Sequence, residues 1–391
     1  MRRIEFPKEY FAILISTILL FAIGIIMVSS SSAEHSIRYY DDPFHILKKH
    51  LLHSMAGVVI LIFVINIPFN KYKYLSYILI IANIILLILV LIPGFGIKAG
   101  GAQSWLDLGV FSIQPSEFVK LSLIIFASDI LVRKRNSINR FIHLVIPLLL
   151  IVSVITFLVF LQPDLGTVMI IWLSLFTILF VGKVKFRHVF ILFIIWLLIV
   201  GLFITKAEYR VGRIKSFLSK YLGEESLLSE YLGEENLLSK YLGEENNTEG
   251  DDFQQRQALI ALGSGGILGK GLGKSIQKLA YLPHPYTDFI FAIIGEELGL
   301  LGTISVAVLY LILAICGISI CIRIENPLGK LLSIGITTYI VGQALINMSV
   351  VSGLLPVTGV PLPLISTGGS SLITSLASIG VLLNVARGEK E

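Results

Sequence analysis

Ten runs of apolar residues, each long enough or nearly long enough to cross a lipid bilayer, divide this 391-residue chain. They lie near residues 9–29, 51–68, 75–93, 116–132, 141–161, 166–182, 188–205, 286–318, 330–352 and 366–386. A hydrocarbon core about 30 Å thick takes about 20 residues of α-helix to span. Inside lipid the backbone has no partner but itself, so each run must be a helix. The fold class expected is an all-α polytopic membrane protein with ten transmembrane helices. Composition agrees: 55% of residues are hydrophobic, only 15% are charged, and mean hydropathy is +0.86, outside the range of a soluble domain. The net charge of +5 does not imply nucleic acid, because the basic residues fall in short clusters between apolar runs. Membrane lipids are the expected surroundings.

The basic clusters also orient the chain. Lys71 and Lys73, then Arg133, Lys134, Arg135 and Arg140, then Lys183, Lys185 and Arg187, then Arg323 and Lys330 all fall on one side if the N-terminus is inside. Arg387 falls there too, so both termini are expected to be cytoplasmic. Arg2, Arg3 and Lys8 precede a first span without a small-residue cleavage site, which reads as a retained helix rather than a signal peptide. Cys316 and Cys321 are too few and too close for a disulfide framework or a zinc site. The outer loops are then 30–50, 94–115, 206–285 and 353–365. The third joins helices 7 and 8 and contains three ten-residue units over 217–246, FLSKYLGEES, LLSEYLGEEN and LLSKYLGEEN. From Phe217 to Asp252 it carries ten Asp or Glu against Lys220 and Lys240. This repeat reads as an expanded surface insert within a single membrane domain covering 1–391; three such units are too few for a solenoid.

Between the repeat and the eighth span lies the stretch 253–302, which is neither apolar span nor repeat. Its GILGKGLGKS is not a nucleotide loop, since the position requiring the first Gly is Leu268. Ser275 and Lys278 form an isolated S-x-x-K, without the companion motifs of serine acyltransferases. The glycines from Gly263 to Gly273 suit close backbone approach and tight bends. Charges near membrane helices are more informative, because each needs a partner or water. Glu117 and Lys120 share a helix face near the outer end of span four, as an ion pair or part of a site. Asp164 is placed to cap span six. Glu296 and Glu297 lie two turns below Asp288, one of them expected to face a polar interior. Arg210 and Arg213 follow span seven on the outer side, against the usual charge bias, which points to an anionic ligand such as a phosphate. Together the outer mouth offers the carboxylates Asp288, Asp164 and Glu117 and the cations Arg210, Arg213 and Lys120. A glycosyl transfer that expels a lipid pyrophosphate needs a base and positive charge of this kind. A transporter of an anionic lipid would use a similar cavity.

Several motifs together give the chain a family resemblance. They are Gly100-Gly101-Ala102-Gln103-Ser104-Trp105, Gln114-Pro115-Ser116-Glu117-Phe118-Val119-Lys120, Gln162-Pro163-Asp164-Leu165-Gly166-Thr167, Gly263-Ser264-Gly265-Gly266, Thr287-Asp288-Phe289 and Gly295-Glu296-Glu297-Leu298-Gly299. Gly353 to Gly359, Pro361-Leu362-Pro363, Ser366 and Gly368-Gly369-Ser370-Ser371 complete the set. Over nearly its whole length the chain resembles the SEDS family (shape, elongation, division and sporulation), membrane glycosyltransferases that polymerise peptidoglycan from lipid II. The spacing of Gly271 to Lys278 before Tyr281-Leu282-Pro283, and the ending Leu382 to Arg387, look most like the division branch; elongation and sporulation branches are the alternatives. The resemblance implies ten helices in the bacterial cytoplasmic membrane and catalysis at the outer face. The implied partners are a class B penicillin-binding protein transpeptidase and other division or elongation membrane proteins.

On that resemblance Asp288 is the catalytic base. Arg210, Arg213 and Lys120 are candidates for the pyrophosphate, Ser366 lies among the substrate-binding residues, and Glu117 and Asp164 organise the cavity or a divalent cation. A lipid II flippase and a non-catalytic scaffold are the competing functions. The chain departs from the family where His284 and Tyr286 replace the usual Glu and His, where Thr367 replaces an aromatic, and where the repeat follows Arg213.

Overall fold

The structure, a computed structural model, describes residues 7–99, 102–107, 109, 112–135, 141–205, 248–279 and 281–388. Arg210, Arg213 and the repeat at 217–246 lie outside the described residues.

The helices are α1 (Lys8–Tyr40), α2 (His45–Ile65), α3 (Tyr72–Leu91), α4 (Pro115–Arg133), α5 (Phe141–Leu161), α6 (Leu165–Val181), α7 (Phe186–Thr205), α8 (Thr248–Ser264), α9 (Ile290–Arg323), α10 (Pro327–Val351) and α11 (Gly369–Arg387). Every apolar run read from the sequence overlaps one of them; α8 is the polar exception. Among the described residues, six are long and apolar enough to cross a membrane, namely α1, α2, α3 with its preceding 3-10 turn, α9, α10 and α11. The chain is thus a mostly helical, multi-pass membrane protein.

Helix starts follow local chemistry. Pro115 and Pro327 occupy first-turn positions, where a missing N–H costs nothing. Asn326 caps α10 by accepting from the N–H groups of Leu328 and Gly329. α2 packs along α11, α1 along α9, α9 against α10, α3 against α4, and α6 against α10. α4, α10 and α11 are buried on nearly all sides, whereas α2 and α3 turn long apolar stripes outward.

Two features depart from the expectation. The loop 94–115 is not plain loop: Gly96–Ala99, Ala102–Asp107 and Ser112–Ile113 form a three-stranded antiparallel sheet (β1, β2, β3) in sequence order. Gly96 pairs with Leu106 and Ile97 with Trp105, and the register then shifts before Lys98. An all-α reading missed it because the strands are short and sit in a glycine-rich segment without alternation. The eighth apolar run is also not one continuous helix. α9 breaks at Gly299, which has φ 69° and ψ −164°, a backbone open in practice only to glycine.

Candidate functional site

The break in α9 creates the problem that the glycine-rich strap 263–278 solves. A helix end leaves carbonyls without partners, and a helix start leaves N–H groups without them. The strap lies across the break and supplies both. Lys270 N donates to Glu296 O (2.9 Å) and Gly271 N to Glu297 O (3.0 Å), while Leu300 N donates to Gly266 O (2.9 Å) and Leu301 N to Ile267 O (3.3 Å). Such contact requires backbones to touch: a Cβ at Gly265 would run into the Gly295 carbonyl oxygen.

Side chains lock the same junction. Glu296 and Glu297 are both 0% exposed, so two carboxylates rather than one face a polar interior. Glu296 receives Lys270 Nζ (2.7 Å), the Ser275 hydroxyl (2.5 Å) and the N–H groups of Ile276 (3.1 Å) and Gln277 (3.2 Å). Glu297 receives Lys278 Nζ (2.7 Å) and the Ser30 hydroxyl of α1, and Lys278 Nζ also reaches Ser30 (2.9 Å). Ser275 and Lys278, the isolated S-x-x-K, are therefore arms of a clamp.

Above the clamp, the half-helix Ile290–Leu298 carries the turn that holds Asp288. The cap position of α9 is Phe289, without a side-chain capping bond, and Asp288 stands one residue ahead of it. Its backbone oxygen accepts from Asn347 Nδ2 (2.6 Å), and the same amide group donates to Val360 O (2.7 Å). The Thr287 hydroxyl lies 2.8 Å from Asp288 Oδ1 and 2.7 Å from His284 O. Thr367 donates to Tyr286 O through its N–H (3.1 Å) and its hydroxyl (2.9 Å). The loop before α11 and the Asp288 turn are thus one unit, and Asp288 is partly exposed within it.

Glu117 and Lys120 form an ion pair at 2.8 Å. Both are 2% exposed, so they sit inside the bundle and not at an open mouth. Lys120 also donates to Gln343 Oε1 (2.8 Å) and lies over the Tyr339 ring. Gln343 and Asn347 are four residues apart on one face of α10, so the residues that meet the buried pair and the Asp288 turn lie about one helical turn (5.4 Å) apart along it. These two amides escaped the sequence reading; polar groups at i, i+4 inside an apolar span were the available signal. Asp164 caps α6, accepting from Thr167 N (2.9 Å), and its other oxygen accepts from the Ser116 hydroxyl (3.2 Å). Ser366 is buried, its hydroxyl accepting from Leu362 N (2.9 Å) to close a turn. Glu117 and Asp164 thus each have protein partners, and no group of three or more His, Cys, Asp or Glu that could hold a metal gathers among the described residues.

Fold and site together define a polytopic helical membrane protein with a carboxylate-bearing turn at one end of its bundle, backed by a buried double clamp. Residues 11–391 match the family described as cell cycle protein, which groups FtsW, RodA and SpoVE; the chain belongs to this family. It is 40% identical over 376 residues to the stage V sporulation protein E of Bacillus subtilis, covering 96% of each chain. It is 35% identical over 369 residues to the probable peptidoglycan glycosyltransferase FtsW of Legionella pneumophila, covering 94% of this chain and 88% of that one. Among solved structures, it superposes on the rod shape determining protein RodA of Thermus thermophilus with a TM-score of 0.66 at 25% identity, covering 97% of each. It superposes on a chain from a study of how a peptidoglycan synthase complex coordinates polymerization and crosslinking with a TM-score of 0.72 at 24% identity, covering 96% of this chain and 97% of that one.

Proposed function

We propose that this protein is a peptidoglycan glycosyltransferase that polymerises lipid II at the outer face of the cytoplasmic membrane, with ten spans and both termini inside. The names of its FtsW relatives support the reaction, and the kinship with both FtsW and a sporulation protein supports division or its sporulation counterpart. The observation that carries the reading is the Asp288 turn, whose backbone is fixed by Asn347 and Thr367 while the carboxylate sits at the partly exposed end of the bundle. There Asp288 takes the proton from an acceptor sugar hydroxyl. That oxygen bonds to the anomeric carbon of the donor sugar, and the bond from that carbon to the lipid diphosphate breaks, leaving negative charge on the diphosphate. Arg210 and Arg213 are the candidates to meet that charge. Lys120 supports the site from inside, through Gln343. A class B penicillin-binding protein is the proposed partner, in keeping with the coupled polymerization and crosslinking named for one structural neighbour.

The test is lipid II turnover by purified Asp288→Asn. The change keeps shape and removes the base, and a positioned base contributes about 10²–10⁴-fold to rate. Turnover should fall by that factor with thermal stability intact; near-normal turnover would reject the assignment. Lipid translocation by the parent protein in vesicles with partner present, and no polymer, would favour the transporter.

A further inference from the structure

The Asp288 turn meets the outer end of α1 through three side chains that the reaction above leaves unused. The Tyr286 hydroxyl lies 3.1 Å from His284 Nδ1 and 3.3 Å from His35 Nδ1. The two imidazole rings are 5.2 Å apart, and His35 rests on Tyr39 at 4.4 Å. His284 is exposed and His35 partly so. From this arrangement the geometry points to a pH-tuned anion site: His35 and His284, bridged by Tyr286, receive the diphosphate of the lipid-linked substrate. This deepens the proposed function, resting on its choice of a lipid diphosphate as ligand.

The argument is one of proton counting. Burial, with the nearby Tyr40 and Tyr39, pushes the Tyr286 phenol up to about 12, so it keeps its single proton throughout the working range. It can then donate to one Nδ1 and must accept from the other. The ring that accepts at Nδ1 carries its own proton on Nε2. The ring that donates from Nδ1 leaves its Nε2 bare. With both rings neutral, the pair therefore offers an anion one N–H donor and one lone pair, a poor match. One added proton turns the bare Nε2 into a second donor and brings positive charge. Burial, with His284 and Arg38 close by, holds the His35 imidazole below its ordinary value, so the pair gains its added proton as the pH falls, or when an anion arrives to share it.

The surroundings favour an anion. On α1, Arg38 is paired with Glu34 (3.5 Å); from the start of α2, Lys48 is paired with Asp42 (2.8 Å), His45 stacks on Tyr40, and Lys49 lies over the same ring. Asp288 is the carboxylate on the turn itself, one Thr287 hydroxyl away from the His284 carbonyl. Lys49, over the Tyr40 ring, has no ion pair among the described residues. A diphosphate esterified at both ends stays fully ionised across this pH range, so any pH dependence of its binding belongs to the protein.

The experiment measures binding of fluorescent lipid II to purified protein in micelles free of anionic phospholipid, at pH 6 and pH 8. The parent should bind about tenfold tighter at pH 6, as expected when one proton is taken up on binding. His284→Asn, chosen because Asn tolerates the positive φ of 45° at this exposed position, should flatten the dependence, and adding His35→Gln should abolish it. A pH-independent parent, or variants that keep the parent's dependence, would overturn the proposal. Displacement of lipid II by a tenfold excess of phosphatidylglycerol would assign the site to membrane headgroups and overturn it as well. Turnover in the same preparations reads the glycosyltransferase assignment separately: the binding pattern without polymer keeps the anion site and removes the enzyme.

Discussion

Glu117 and Lys120 close their ion pair within one turn of α4, whereas Glu296 and Glu297 take their lysines from a strap 26 and 19 residues earlier in the chain. Both centres are buried, yet they do different work. The first pair is local, and what it reaches beyond α4 is one amide and one ring of α10. The second ties together three segments far apart in sequence: the strap, the half-helix below Asp288, and α1 through Ser30. A buried ion pair is weak as a source of net stability, because desolvation offsets attraction, but breaking one by removing a single partner is costly. The contrast is therefore in what a break would release.

The largest effect is expected for Glu297→Ala. It strands the Lys278 ammonium, frees Ser30, and loosens the strap over the α9 break, so a loss of about 3–5 kcal/mol is expected. Thermal unfolding in detergent checks it, and turnover should fall with it, since the half-helix bears the turn proposed to be catalytic. A smaller effect is expected when both members of the local pair are replaced together. Glu117→Gln with Lys120→Met leaves no uncompensated charge and keeps volume, so stability should stay within about 1.5 kcal/mol of the parent. If that double variant unfolded as readily as Glu297→Ala, the distinction between the two centres would fail. The smallest effect belongs to Asp164→Asn, since Asn caps as well as Asp and a shift of only a few tenths of a kcal/mol is expected in the melting profile. A large loss of turnover in that stable variant would show that the Asp164 charge, and not its cap, serves the reaction.

The same contrast explains what could be read in advance. Residues 115–133, 327–351 and the other apolar runs announced their helices because lipid permits nothing else, and Glu117 with Lys120 announced a pair because three residues along a helix bring side chains together. Asp164 was legible as a cap from its place before Leu165. The clamp was not legible, because spacings of 19 to 26 residues through glycine-rich turns carry no periodic signal. Nor was the break at Gly299, hidden inside a run hydrophobic enough on average to read as one span. Of the proposed anion-binding groups, Arg210 and Arg213 lie outside the described residues. The meeting of His35 with His284 depends on the packing of α1 against α9, which no local pattern encodes.

The break also sets a depth. Leu300 to Arg323 is 24 residues, about 36 Å of helix, enough by itself to cross a hydrocarbon layer about 30 Å thick. The nine residues Ile290 to Leu298 add about 13 Å more, which exceeds what that layer can take up without strong tilt. On the reading that the longer half is the span, the shorter half stands in the headgroup zone and works as a post, lifting Asp288 clear of the acyl chains. A lipid-borne sugar carries its reacting atoms at that same height, above its diphosphate and outside the oil. Substrate would then slide in sideways along the membrane plane and meet the carboxylate without leaving its leaflet.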